Sequence, residues 1–250
     1  MDAATLLMLA GAGVLAGLAN ALAGGGTFFT FPALLAAGLP PVTANATSAL
    51  AVWPGHAAAV LPARAELLAE RDGLPLRCAV AAGGGLAGGA LLLLTGDRAF
   101  AALVPWLLLL ATAAFAAAPW LRARLARAPA LRPRTRLLAE FLVCAYGGYF
   151  GAGLGIMLMA SLTLAGTADP RRANALKNLL GSLATSVAVL VFVVAGAVAW
   201  PYALPTLAGA IAGGVAGGRL AGRLPAPLLR ATVIAVGAAL TAVFFWRTYA

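Results

Sequence analysis

Acidic side chains are scarce in this 250-residue chain. Seven Asp and Glu stand against seventeen Lys and Arg, charged residues make up only 10%, and there is a single histidine. With a hydrophobic share of 63% and a mean hydropathy of +0.98, this excludes a water-soluble globule and defines an all-α, polytopic integral membrane protein. The two cysteines, Cys78 and Cys144, lie far apart with no Cys-x-x-Cys or histidine context. Neither a metal site nor a disulfide framework is indicated, no cofactor is expected, and both read as small packing residues. The net charge of +10 lacks the aromatic interleaving of a nucleic-acid surface, so no such partner is expected and the arginines read as orientation signals. The first 23 residues end in small side chains as a signal peptide does, but Asp2 is the only early charge. Without a basic n-region, processing is not expected.

What is abundant is apolar sequence. Runs of about 20 residues, long enough to cross a bilayer as helices, lie at 44–62, 77–96, 99–120, 175–195, 199–218 and 228–246. Two further stretches, 4–38 and 137–166, fit no single crossing. At about 1.5 Å per residue, 137–166 is too long for one passage of ~30 Å and short for two. A hairpin that dips in at its glycines and returns is the simplest solution.

The chain repeats itself at an offset of 129 residues. Gly24 falls on Gly153, Gly26 on Gly155, Pro41 on Pro170, and Ala44-Asn45-Ala46 on Ala173-Asn174-Ala175. Gly84, Gly85, Gly88 and Gly89 fall on Gly213, Gly214, Gly217 and Gly218. Alanine matches mean little in this composition, whereas Gly, Pro and Asn matches indicate a duplication. Charge then orients the halves. The stretch 121–136 carries Arg122, Arg124, Arg127, Arg132, Arg134 and Arg136, which the positive-inside rule places in the cytoplasm. Alternation from there puts Arg64, Arg71 and Arg77 inside. Arg171, Arg172 and Lys177 have an uncharged counterpart around 38–44, as expected if the halves are inverted. Every Lys and Arg except Arg98 and Arg247 then lies inside. The expected architecture is two inverted repeats, 1–120 and 137–250, joined by the basic cytoplasmic linker 121–136. Each is a glycine-broken helical hairpin plus three transmembrane helices, about eight transmembrane segments in conventional counting.

Two glycine-rich motifs, "ALAGGGTFFTFPALL" and "YGGYFGAGLGIML", each precede a "P…AN" entry into a span, and a long C-terminal pattern runs from "DPRRANALKNLLGS" to "GGRLAGRLP". In these the chain closely resembles the TauE/SafE family of sulfite exporters over nearly its whole length. The resemblance implies a multi-pass carrier of the inner (plasma) membrane for small anions: sulfite, sulfonates and related organic acids.

The residues suggest how such an anion is held. A glycine break followed by a short helix offers unpaired N–H groups and a positive dipole end, and broken helices of inverted repeats commonly meet near the midplane. Gly24, Gly25, Gly26 and Thr27 are therefore expected to face Gly151, Gly153 and Gly155 across a central cavity; close helix packing is the alternative. Gly84, Gly85, Gly88, Gly89 and their repeats read as packing glycines. Asn45 and Asn174 form a matched amide pair that can donate to an oxyanion, with helix capping as the alternative. Ser48, Thr43 and Thr47 on one side, and Asn178, Ser182 and Ser186 on the other, extend the polar lining. Lys177, one turn after Asn174, presents an ammonium on that face or anchors in the cytoplasm. Tyr146 and Tyr149 are possible hydroxyl donors or interface anchors. Glu140 is expected at the interface, so no carboxylate proton relay is visible. His56, beside "WPG", has an ordinary titration range near 6.5 that suits proton coupling, or it simply fills the kink. These readings lead to a small-anion exporter working by alternating access, with the lipid bilayer and protons as further partners and the oligomeric state open. An anion channel with the same pore is the alternative. An intramembrane enzyme is disfavoured, because neither a nucleophile motif nor a redox cysteine pair is present.

Overall fold

The computed structural model describes residues 1–22, 25–58, 60, 66–67, 73–125, 129, 131–167, 169–220 and 226–249. Gly24, Arg64, Arg71, Arg127 and the Arg122 side chain lie outside that description. Regular structure among the described residues is helical: α1 Ala3–Leu22, α2 Thr27–Ala36, α3 Pro41–Ala58, α4 Leu74–Leu125, α5 Pro133–Tyr149, α6 Leu154–Leu164, α7 Pro170–Val194, α8 Trp200–Leu220 and α9 Ala226–Tyr249. Proline opens α3, α5 and α7, where its missing N–H and fixed φ cost nothing. Four stretches, in α1, α4, α7 and α9, are long and apolar enough to cross a membrane. In contrast, α2 and α6 have 10 and 11 residues, about 15 to 17 Å, which is half a crossing.

Contacts fix the path of the chain. Gly85 is pressed against Gly148, and Ala111 lies against Gly153. On a straight helix residues 85 and 111 would be about 39 Å apart, a distance that five residues of chain, about 18 Å at most, cannot bridge. The helix α4 therefore folds back at Gly96, whose φ is 72° and ψ 164°. Asp97, beside that bend, accepts from the Val42 N–H at 2.8 Å, and the Ala199 N–H donates to Thr47 at 3.0 Å. The Gly96 bend, the start of α3 and the α7–α8 turn thus share one end of the molecule. The linker marks the other end. There Leu131, before α5, donates its N–H to the Leu164 carbonyl at the end of α6 at 2.9 Å, so the second hairpin starts and finishes at the linker end. Along α1, Gly13 abuts Thr206 and Gly17 abuts Ala210, in the same order on both helices. Consequently α1 runs parallel to α8 and begins at the end opposite the linker.

Six of the eight predicted packing glycines pack against a neighbouring helix, and Gly214 and Gly218 do not. A Cβ at Gly84, Gly85 or Gly88 would strike backbone of α5 or α7, and one at Gly213 or Gly217 would strike α1, whereas Gly214 and Gly218 face open space. Close approach through small residues is what associates helices where lipid removes the hydrophobic drive.

Glu140, expected at the interface, is enclosed by protein. Its side chain is 0% exposed and Arg77, read as part of an inside loop, is 2% exposed. Arg77 donates through Nε to Glu140 Oε2 at 3.0 Å and through NH2 to Oε1 at 2.6 Å, and Arg136 adds a longer contact of 3.4 Å. This fork joins α4 to α5. Removing one partner of a buried pair leaves an uncompensated charge, at a cost of about 3–5 kcal/mol, whereas replacing both by apolar groups is often neutral. Glu140→Gln should accordingly lower the melting temperature in detergent far more than the double change Arg77→Met with Glu140→Leu. Equal losses would contradict this account.

Candidate functional site

Both glycine segments interrupt helices where expected. Gly25, Gly151 and Gly153 have φ of 101°, 83° and 79°, the left-handed region that costs other residues about 1–2 kcal/mol. At the first break Asn20 of α1 accepts the Gly26 N–H at 2.7 Å, and the Phe28 and Phe29 N–H groups turn back onto the Gly25 and Gly26 carbonyls. At the second, the N–H groups of Phe150 and Gly151 both reach the Tyr146 carbonyl, and those of Ile156 and Met157 share the Gly153 carbonyl. The Tyr146 hydroxyl braces this turn by donating to the Ala152 carbonyl at 2.8 Å. The Gly153 N–H takes part in none of these bonds.

The two breaks open onto one cavity of about 700 Å³. Gly25 and Thr27 line it from the first hairpin and Gly151, Gly153 and Gly155 from the second; α7 contributes Asn174, Lys177 and Asn178, and α3 contributes His56. Phe115, Ala118, Pro119, Leu158 and Met159 supply apolar wall, and Asn20 and Arg230 supply further polar groups. The described lining carries two cationic side chains, Lys177 and Arg230, and no carboxylate. Thr27, His56 and Gly151 also line a smaller recess of about 20 Å³, shared with Asn45, Gly148, Phe150 and Thr185. Beyond it Phe31, Phe100, Tyr149 and Phe150 meet edge to face, with centroids 5.5 to 6.3 Å apart. Phe150 is shared between the recess and this aromatic cluster, and Phe100 lies one turn beyond the Gly96 bend.

Several expected roles change. Gly24 lies outside the described residues. Gly26 is set against Asn20 and the Ala16 carbonyl, and its N–H is engaged there, so it supports the break from behind instead of facing the cavity. Asn45 is 2% exposed and donates through Nδ2 to the Tyr149 carbonyl at 2.9 Å. That fixes its amide, leaving Oδ1 buried without a hydrogen-bond partner among the described residues, an acceptor where a donor was expected. Asn174, its repeat counterpart, is exposed on the wall of the cavity. Neither asparagine caps a helix: Asp169 caps α7, accepting the Arg171 N–H at 3.0 Å, and α3 begins four residues before Asn45. Ser48 is turned to Thr30, 2.6 Å away, and Ser186 bonds Trp53 and the Ser182 carbonyl. The Tyr149 hydroxyl reaches Thr95 at 3.3 Å. These hydroxyls brace helices and do not line the cavity. Asn20 and Arg230 were missed. Asn20 was legible as a polar residue one turn before the break; Arg230 was hidden among the orienting arginines.

All-helical construction, apolar spans and two broken helices around a cationic cavity define a membrane transport protein. The model of the sulfite exporter TauE/SafE family matches residues 9–244, and the chain belongs to that family. Membership places it among membrane exporters of sulfite and related anions and speaks for transport rather than catalysis. No curated protein and no solved structure matches it.

Conformation separates two neighbouring glycines. Gly153 has a positive φ, whereas a Cβ at Gly155 meets nothing closer than the Lys177 side chain at 3.8 Å. Gly153→Ala should destabilise the detergent-solubilised protein by about 1–2 kcal/mol. Gly155→Ala, inside α6, should be neutral or slightly stabilising. Thermal unfolding of both variants checks the difference; a reversed order would place the break elsewhere.

Proposed function

We propose that this chain is a plasma-membrane carrier that exports small anions, sulfite or sulfonates, by alternating access of two inverted repeats. The observation that carries the reading is the single cavity onto which both glycine breaks open, with cationic but no acidic described lining. Supporting the inversion, the second hairpin begins and ends at the linker end, through Leu131 and Leu164. The first begins and ends at the opposite end, since α1 runs parallel to α8 and α2 leads into α3 beside Asp97. If the linker is cytoplasmic, as its arginines indicate, the cavity faces the cytoplasm and the aromatic cluster is the closed outer gate. A gate closed on one side favours a carrier over a channel.

Energetics agree with export. An inside-negative potential drives each negative charge outward by about 2.3 kcal/mol per 100 mV, so no carboxylate relay is required. His56, which lines both cavity and recess, is the residue through which a proton would couple. Flux that keeps its pH dependence in His56→Gln would take that role away from it.

Proteoliposomes carrying the purified chain should show saturable sulfite flux with counter-transport. At Gly155 a Cβ meets only the Lys177 side chain, at 3.8 Å, so Gly155→Leu should crowd the cavity and cut flux at least tenfold with little change in melting temperature. Single-channel currents, or undiminished flux in that variant, would overturn the carrier or the site respectively.

A further inference from the structure

Arg230 enters the cavity for a local reason. Pro119 has no N–H, so the carbonyl of Phe115, four residues earlier in α4, has no helical donor. Arg230 of α9 supplies one: Nε donates to the Phe115 carbonyl at 2.9 Å and NH2 to the Ala116 carbonyl at 2.6 Å. These bonds take two of the five guanidinium N–H groups and fix its plane. The side chain remains half-buried on the cavity wall. Its neighbourhood is the first break, because Phe115 and Val233, one turn beyond Arg230, both press on Gly25. Across the cavity Lys177 packs by the second break, its Cδ beside Gly155. Each break therefore has a cation of its own.

Arg230 opens the last apolar stretch, Arg230–Tyr249, and lines a cavity whose described residues include no carboxylate, so its charge is directed at whatever anion enters there. We infer that Arg230 is a second cationic anchor for the transported anion, serving the first break as Lys177 serves the second, and that it biases the site toward doubly charged anions. The inference rests on the cavity being the anion site. Coulomb energy scales with the product of the charges, so losing one cation costs a dianion twice the free energy it costs a monoanion at the same place. A loss of about threefold for the monoanion becomes about tenfold for the dianion.

Arg230 also completes the backbone of α4, and the test must separate the two roles. Binding of sulfite, at mildly alkaline pH where it is a dianion, and of methanesulfonate, a monoanion of similar size, is measured calorimetrically on the detergent-purified chain. The proteins are the unmodified chain, Arg230→Gln, and the double variant Pro119→Ala with Arg230→Gln. Alanine at 119 restores the N–H that Phe115 lacks. The melting temperature should fall in the single variant and recover in the double one, while in both variants sulfite weakens about tenfold and methanesulfonate about threefold. Recovery of sulfite binding together with stability, or equal losses for the two anions, would make Arg230 a structural cap only. Absence of sulfite binding by the unmodified chain would instead overturn the anion cavity itself, and this assignment with it.

Discussion

A helix may be broken at membrane depth only if every backbone group it frees finds a partner in protein or in a water-filled space. The two interruptions here meet that condition with side chains. Asn20 holds the Gly26 N–H, Asn45 holds the Tyr149 carbonyl, and Tyr146 holds the Ala152 carbonyl. Arg230 does the same for the carbonyl that Pro119 leaves unserved. Each brace comes from a helix or turn adjoining the break, so the cavity is as rigid as the packing of those elements. Close contacts along α1–α8, α4–α5 and α4–α7, made through glycine, supply that packing.

Electrostatics follow from the same geometry. Breaking a helix exposes an N-terminal dipole end; the N-termini of α2 and α6 both border the cavity, with Lys177 and Arg230 on its wall. The carboxylate closest in kind to a proton relay, Glu140, is instead locked to Arg77 and Arg136 between α4 and α5. That charge is thus absent from the described lining of the cavity, which holds no carboxylate. An anion gains from such a lining without a conformational cost.

The breaks were legible because glycine, proline and asparagine recur at one offset in a chain where most matches are alanine, and because a positive φ is a local demand that glycine alone meets cheaply. The half-length of α2 and α6 and the return of the second hairpin to the linker end follow from the same reading. Pairings across distance were not legible. Arg77 and Glu140 are 63 residues apart, and each lies near the end of an apolar run, where hydropathy reads any charge as an anchor. Orientation was equally hidden: an asparagine can donate or accept, and only the Tyr149 carbonyl decides for Asn45. Gly26 and Arg230 show a third limit, since being next to a site along the chain does not say which neighbour claims the atom.

If the halves are the inverted repeats proposed above, positions matched at the 129-residue offset occupy unlike environments, and this bears on mechanism. Asn45 is sealed in the recess while Asn174 is exposed on the cavity wall; Gly26 is jammed against α1 while Gly155 borders open space. His56 has Thr185 as its counterpart, so its chemistry is not duplicated. Two like halves around a shared site must differ in this way in any state open to one side only, because symmetry would open both sides or neither. On the proposed reading, the opposite state exchanges these environments: the aromatic cluster parts, Asn45 meets water, and Asn174 is covered.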